Sequence, residues 1–318
     1  MTRHTRLPGR LTALALLGAL AFASCAKPSA FKAPVAKFRD ASAVVIESTK
    51  GYLVALNKTE RDHYLFARAA GREQIQLTEV EKVQVFSAEA IAVRLDALDR
   101  LADYTELLYR LATSDAPETV KGRAKDLGTA IESLSGQVGK LTGADDERFT
   151  STATKVLPVI GEVLKAIVER QLEEALKRAI TTGAAPVNQL IEAIKVDSEI
   201  AFQRKRQALS LRRSDAALQY NTEFKKGDRA DPAALRRLAE AVSLMEDKWE
   251  AFQTARPVAG LAAMQQANLA LEKFARTPRP NVTDFASFVD AVEVFASAAE
   301  RVGKAVQQLK ALDERTGQ

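Results

Sequence analysis

The chain has 318 residues, 47% of them hydrophobic and 27% charged, with 46 Lys and Arg against 41 Asp and Glu. That is a globular composition, and the length allows one large domain or two ordinary ones. Aromatic residues at 6%, with 15 Gly and 10 Pro, argue against a turn-rich β sandwich; one Cys and two His exclude an internal disulfide framework and leave little for a zinc centre or a thiol–imidazole pair.

The N-terminal stretch reads as a targeting segment. Arg3, His4, Arg6 and Arg10 form a positive region free of acids, and Leu11 to Phe22 is an apolar run broken by Thr12 and Gly18. Ala23, Ser24 and Cys25 follow. Such a run is too short and wrongly flanked for a membrane span, so residues 1–24 are expected to be a secretory signal. The segment Phe22-Ala23-Ser24-Cys25 resembles the lipobox of bacterial lipoproteins. That resemblance implies cleavage before Cys25, the only cysteine of the chain, and lipidation of its thiol. Ala26 and Lys27, rather than Asp, follow the cysteine, and the resemblance then implies the outer membrane facing the periplasm. Residues 25–33 would be a short lipidated tether, and residues 34–318 the folded body. Removing residues 1–24 takes away three Arg and no acid, which leaves 43 basic and 41 acidic side chains. So slight and scattered an excess argues against a nucleic-acid partner.

The body carries helical periodicity throughout. Val120, Ala124, Leu127, Ile131, Leu134, Val138 and Leu141 recur at spacings of four and three. Leu235 to Phe252 and Phe285 to Leu309 repeat the pattern, and Ile91 to Ala112 follows it less regularly. Strand-like alternation never persists. The expected fold is all-α, an elongated bundle of about eight antiparallel helices.

Punctuation sets the expected boundaries. Pro34 opens a first helix that reaches about Ala70, Ser87 caps a second, and Asp115 with Pro117 opens a third, closed by Gly143. A fourth is expected from about Asp145 to Thr182, bent at Pro158. Gly183 and Pro186 then mark a break, where the body divides if it divides at all, before a long fifth helix ending near Lys226. Asp231 with Pro232, Pro257, and Thr283 after the Pro278–Pro280 stretch start the remaining three.

Catalytic motifs are scarce. His63 is the only His after the signal, and with Glu60 it makes a single Glu-x-x-His, where a di-iron bundle needs two. The segment after His63 departs from the Gly-x-His-x-x-Glu of imelysin-type bundles. No Gly-x-Ser-x-Gly or Cys-x-x-Cys-His occurs, so neither a serine-hydrolase elbow nor covalent haem is expected, and no cofactor. The most uneven charge lies between Gln203 and Arg229, where eight basic and three acidic side chains give a net of +5. Lys205 with Arg212, and Arg206 with Arg213, stand seven residues apart, which suggests a face for anionic lipid or an acidic envelope protein. The expected function is non-catalytic: a membrane-anchored envelope protein whose bundle serves binding or structural interaction. A membrane-active bundle of the pore-forming kind is the alternative, and an envelope enzyme a weaker one.

Overall fold

The computed structural model describes residues 28–143, 146–278 and 280–316; the expected signal segment, residues 1–24, and Cys25 lie outside the described residues. Those residues are helical and contain no strand. In chain order the helices are α1 (Pro28–Gly71), α2 (Leu77–Lys82), α3 (Ala88–Thr113), α4 (Pro117–Val138) and α5 (Glu147–Val168). Then come α6 (Leu172–Phe224), α7 (Pro232–Thr254), α8 (Pro257–Arg276) and α9 (Val282–Thr316).

Several starts follow their signals. Ser87 Oγ accepts the Ala90 N–H at 3.0 Å, Asp231 Oδ1 accepts that of Ala233 at 2.9 Å, and Pro117, Pro232 and Pro257 stand in the first turns of α4, α7 and α8. Other boundaries differ from expectation. Helix α1 begins six residues before Pro34, and the six-residue α2 carried no sequence signal. Helix α4 ends at Val138, before the expected Gly143. Asn281, not Thr283, caps α9, through a reciprocal pair in which Asn281 and Asp284 accept each other's backbone N–H at 2.9 and 3.0 Å.

The largest correction concerns α6. The expected break at Gly183–Pro186 is absent, and the helix runs unbroken for 53 residues, about 80 Å. Proline removes one backbone donor and crowds the carbonyls of the preceding turn. Here neighbouring helices supply side-chain donors on that stretch. Tyr104 Oη donates to Ala179 O at 3.1 Å, Arg276 Nη2 to Thr181 O at 2.5 Å and Asn268 Nδ2 to Ala184 O at 3.3 Å. Gly183 lies against the Tyr104 ring, where an added Cβ would be 3.2 Å from the phenolic oxygen. The chain instead turns at Glu169-Arg170-Gln171, where no Gly or Pro marks it.

Packing forms two four-helix groups that share one wall. Helices α3, α4, α5 and α6 close one ring; α1, α6, α8 and α9 close the other, with α1 also packed on α3. Helix α7 leans on α6 and α9. One continuous buried cluster fills both groups, from Val35 and Phe38 through Leu134 and Leu164 to Phe295 and Leu312. It ends abruptly. Beyond Leu56 on α1 and Phe202 on α6, and before Lys248 on α7, no side chain of those helices is buried. The tail of α1, the last 22 residues of α6 and the first half of α7 therefore form an arm whose seam, Leu235, Leu238, Val242 and Met245, is only half covered.

Candidate functional site

The four basic residues singled out from the sequence do not share one exposed face. Arg212 turns to α1, with Nη2 3.5 Å from Asp62 Oδ2 and its guanidinium 4.8 Å from the centre of the Phe66 ring. Arg213 turns to α7, pairing with Glu246 and lying 5.4 Å from the Trp249 ring centre. Lys205 points inward between them, half-buried, with Nζ 5.3 Å from the Tyr52 ring centre. Burial holds its pKa below the usual lysine range, against the pull of Asp313, and the positive charges of Lys248, Arg212 and Lys58 add to the depression. Arg206 is exposed and has no acidic side chain within ion-pair distance among the described residues. The reason is angular. Successive helical residues are 100° apart, so the 205/212 line and the 206/213 line look in different directions, the first toward α1 and the second toward α7.

A second charged centre carried no sequence signal. Arg94 of α3 is fully buried, with Nε 2.6 Å from Asp197 Oδ2 of α6 and Nη1 2.8 Å from Asp146 Oδ1 at the start of α5. Nη1 also donates to Ala90 O at 3.0 Å. The guanidinium carbon lies 3.9 Å from the centre of the Phe86 ring and 4.7 Å from that of Phe149, so it is held between two aromatic faces. Burial raises the Asp197 carboxyl above the usual range against the pull of Arg94, and the Asp146 charge adds to the rise. Arg94 Nη2 has no hydrogen-bond partner among the described residues. Three helices of one ring meet on this single cation. A sequence reader sees Arg94 one position before Leu95 of the assigned stripe and counts it as solvated.

Asp146 also borders a cavity of about 360 Å³ between the starts of α3 and α5, with Ser87, Glu89 and Lys140 on its wall. It is open and polar, and its charged groups are of both signs.

His63 lies half-buried in the arm portion of α1, and Glu60 pairs with Arg204 of α6 at 3.9 Å. Among the described residues no group of three or more His, Cys, Asp and Glu is placed to hold a metal ion. No described helix is long and apolar enough to cross a membrane. Comparison of the chain with family profiles, with characterised proteins and with solved structures finds no match.

Proposed function

We propose that this chain is a non-catalytic lipoprotein of the bacterial cell envelope, anchored through acyl chains on Cys25, whose helical bundle serves binding or structural interaction. The observation that carries the reading is the lone cysteine behind a positive region, a short apolar run and two small residues. Two or more acyl chains on one residue hold a protein stably, where a single chain binds only marginally. Helix α1 begins at Pro28, so no more than Ala26 and Lys27 separate the anchor from the bundle. The body would sit against its membrane rather than on a long leash, and the residues after the cysteine favour the outer membrane. The test is fractionation. The natural chain should remain with membranes after a high-salt wash and migrate faster than its unprocessed precursor. Cys25→Ala should leave an unlipidated form in the soluble fraction, and retention of that form on washed membranes would overturn the anchor.

A further inference from the structure

The arm described above carries several large apolar side chains that stand exposed. Its helices and the adjoining α2 segment carry Phe66, Leu77, Leu211, Leu218 and Phe224, all exposed. Single exposed apolar residues are ordinary, and others, Val159, Leu269, Val282 and Val294 among them, stand on the rest of the bundle; in the arm they repeat along one line of a helix. Leu211 and Leu218 stand seven residues apart on one side of α6, 48% and 60% exposed, and Arg204 and Lys225 continue the same line at either end. Phe224 ends the helix, stacked on Tyr220 with ring centres 6.4 Å apart and still 63% exposed. The turn after it, Lys225 to Arg229, is exposed throughout.

Charge points to the occupant. The segment from Gln203 to Arg229 nets +5, and Arg206, Lys225 and Arg229 have no acidic partner within ion-pair distance among the described residues. A second copy would bring one such segment against another of the same sign, which costs free energy at short range. A surface that offers both negative charge and an apolar layer beneath it satisfies both features, and a basic helix with exposed Leu and Phe is the kind that lies in a membrane interface.

We propose that the outer side of the α6 arm, bearing Leu211 and Leu218 with Lys225, together with its tip, bearing Phe224 and Arg229, docks on an anionic phospholipid bilayer. The identity of that bilayer as an envelope membrane rests on the lipoprotein reading; the docking itself does not. The arm departs from the bundle about 45 Å along α1 from Pro28, so it gives the protein a second membrane contact far from the anchor.

Residues 28–318 hold every described helix and the whole core, and this unanchored chain is the material for the test. It is sedimented with vesicles of phosphatidylethanolamine and phosphatidylglycerol, and with pure phosphatidylcholine vesicles, at low and high salt. The expected result is binding to the anionic vesicles that falls steeply with salt and is at least about tenfold weaker on phosphatidylcholine. Leu211→Ser with Leu218→Ser and Phe224→Ser should cut anionic binding about tenfold at unchanged helicity, since these side chains are solvent-exposed. Lys225→Glu with Arg229→Glu gives an independent second variant and should do the same. No binding at low salt, or equal binding by both variants, overturns the proposal. So does a wild-type dimer in sedimentation equilibrium that the triple Ser variant abolishes, because the face would then belong to a second copy. None of these outcomes bears on Cys25, which this material lacks.

Discussion

The guanidinium of Arg94 is fully buried against two carboxylates, so its removal leaves Asp146 and Asp197 as buried charges without their paired cation. Arg94→Met should lower unfolding stability by about 3–5 kcal/mol, measured by urea titration of the circular dichroism signal. The deficit should depend on pH with a definite sign. Without Arg94 the folded-state pKa of Asp197, already raised by burial, rises further above its unfolded value near 3.8. The penalty is then absent when both states are protonated and grows as pH climbs through the window above that value. The variant's deficit should therefore be largest at neutral pH and shrink on acidification. A loss below about 1 kcal/mol at neutral pH would mean that the centre is hydrated and contributes little.

At the scale of the helix, closeness of approach matters more than propensity. An added Cβ at Gly260 of α8 would be 2.8 and 3.1 Å from the two methyl groups of Val45 on α1. Val45 is fully buried and its branched side chain has one favoured rotamer in a helix, so neither partner can yield cheaply. Gly260→Ala should destabilise by about 1–3 kcal/mol although alanine is the better helix former, and Val45→Ala in the same chain should remove most of the added cost. Additive losses in the double variant would sink this account. The elements themselves were largely legible from the sequence. Of the stripe from Val120 to Leu141 all but Leu141 lie buried, and of that from Phe285 to Leu309 all but Phe285 and Val306, while Ser87 and Asp231 cap the helices that they precede. What the sequence hid has two physical sources. Backbone punctuation is a local signal, and the unbroken stretch around Pro186 is packed and hydrogen-bonded by residues some 80 positions away, Tyr104, Asn268 and Arg276. Periodicity finds a seam but not what covers it. The α7 stripe from Leu235 to Met245 has the same spacing as the buried ones and is only half covered, while the spacing of Lys205, Arg206, Arg212 and Arg213 said nothing of the directions they take.

Over the whole molecule, stability should grade from the shared core to the arm. Helices α3 to α5 and the first 30 residues of α6 contribute fully buried side chains along their lengths, while the arm contributes none. Segments with few buried apolar contacts open at a lower free-energy cost than the global transition. In hydrogen–deuterium exchange, amides of residues 206–222 should exchange at least about a hundredfold faster than those of residues 176–200, although both stretches belong to one helix. Uniform protection along α6 would show that the arm is covered in solution. Such a gradient inside one unbroken helix has a mechanical consequence. Because α6 is a wall of both four-helix groups, it behaves as a strut with its foot clamped and its far end free. A load on the turn at Gly227 is carried as torque to the clamp, with no loop in between to absorb it. The first structures to feel that torque stand where the helix enters the core, the Phe202 ring stacked on Phe252 and the ion pair of Glu199 with Arg256, so those contacts set how far the free end can swing.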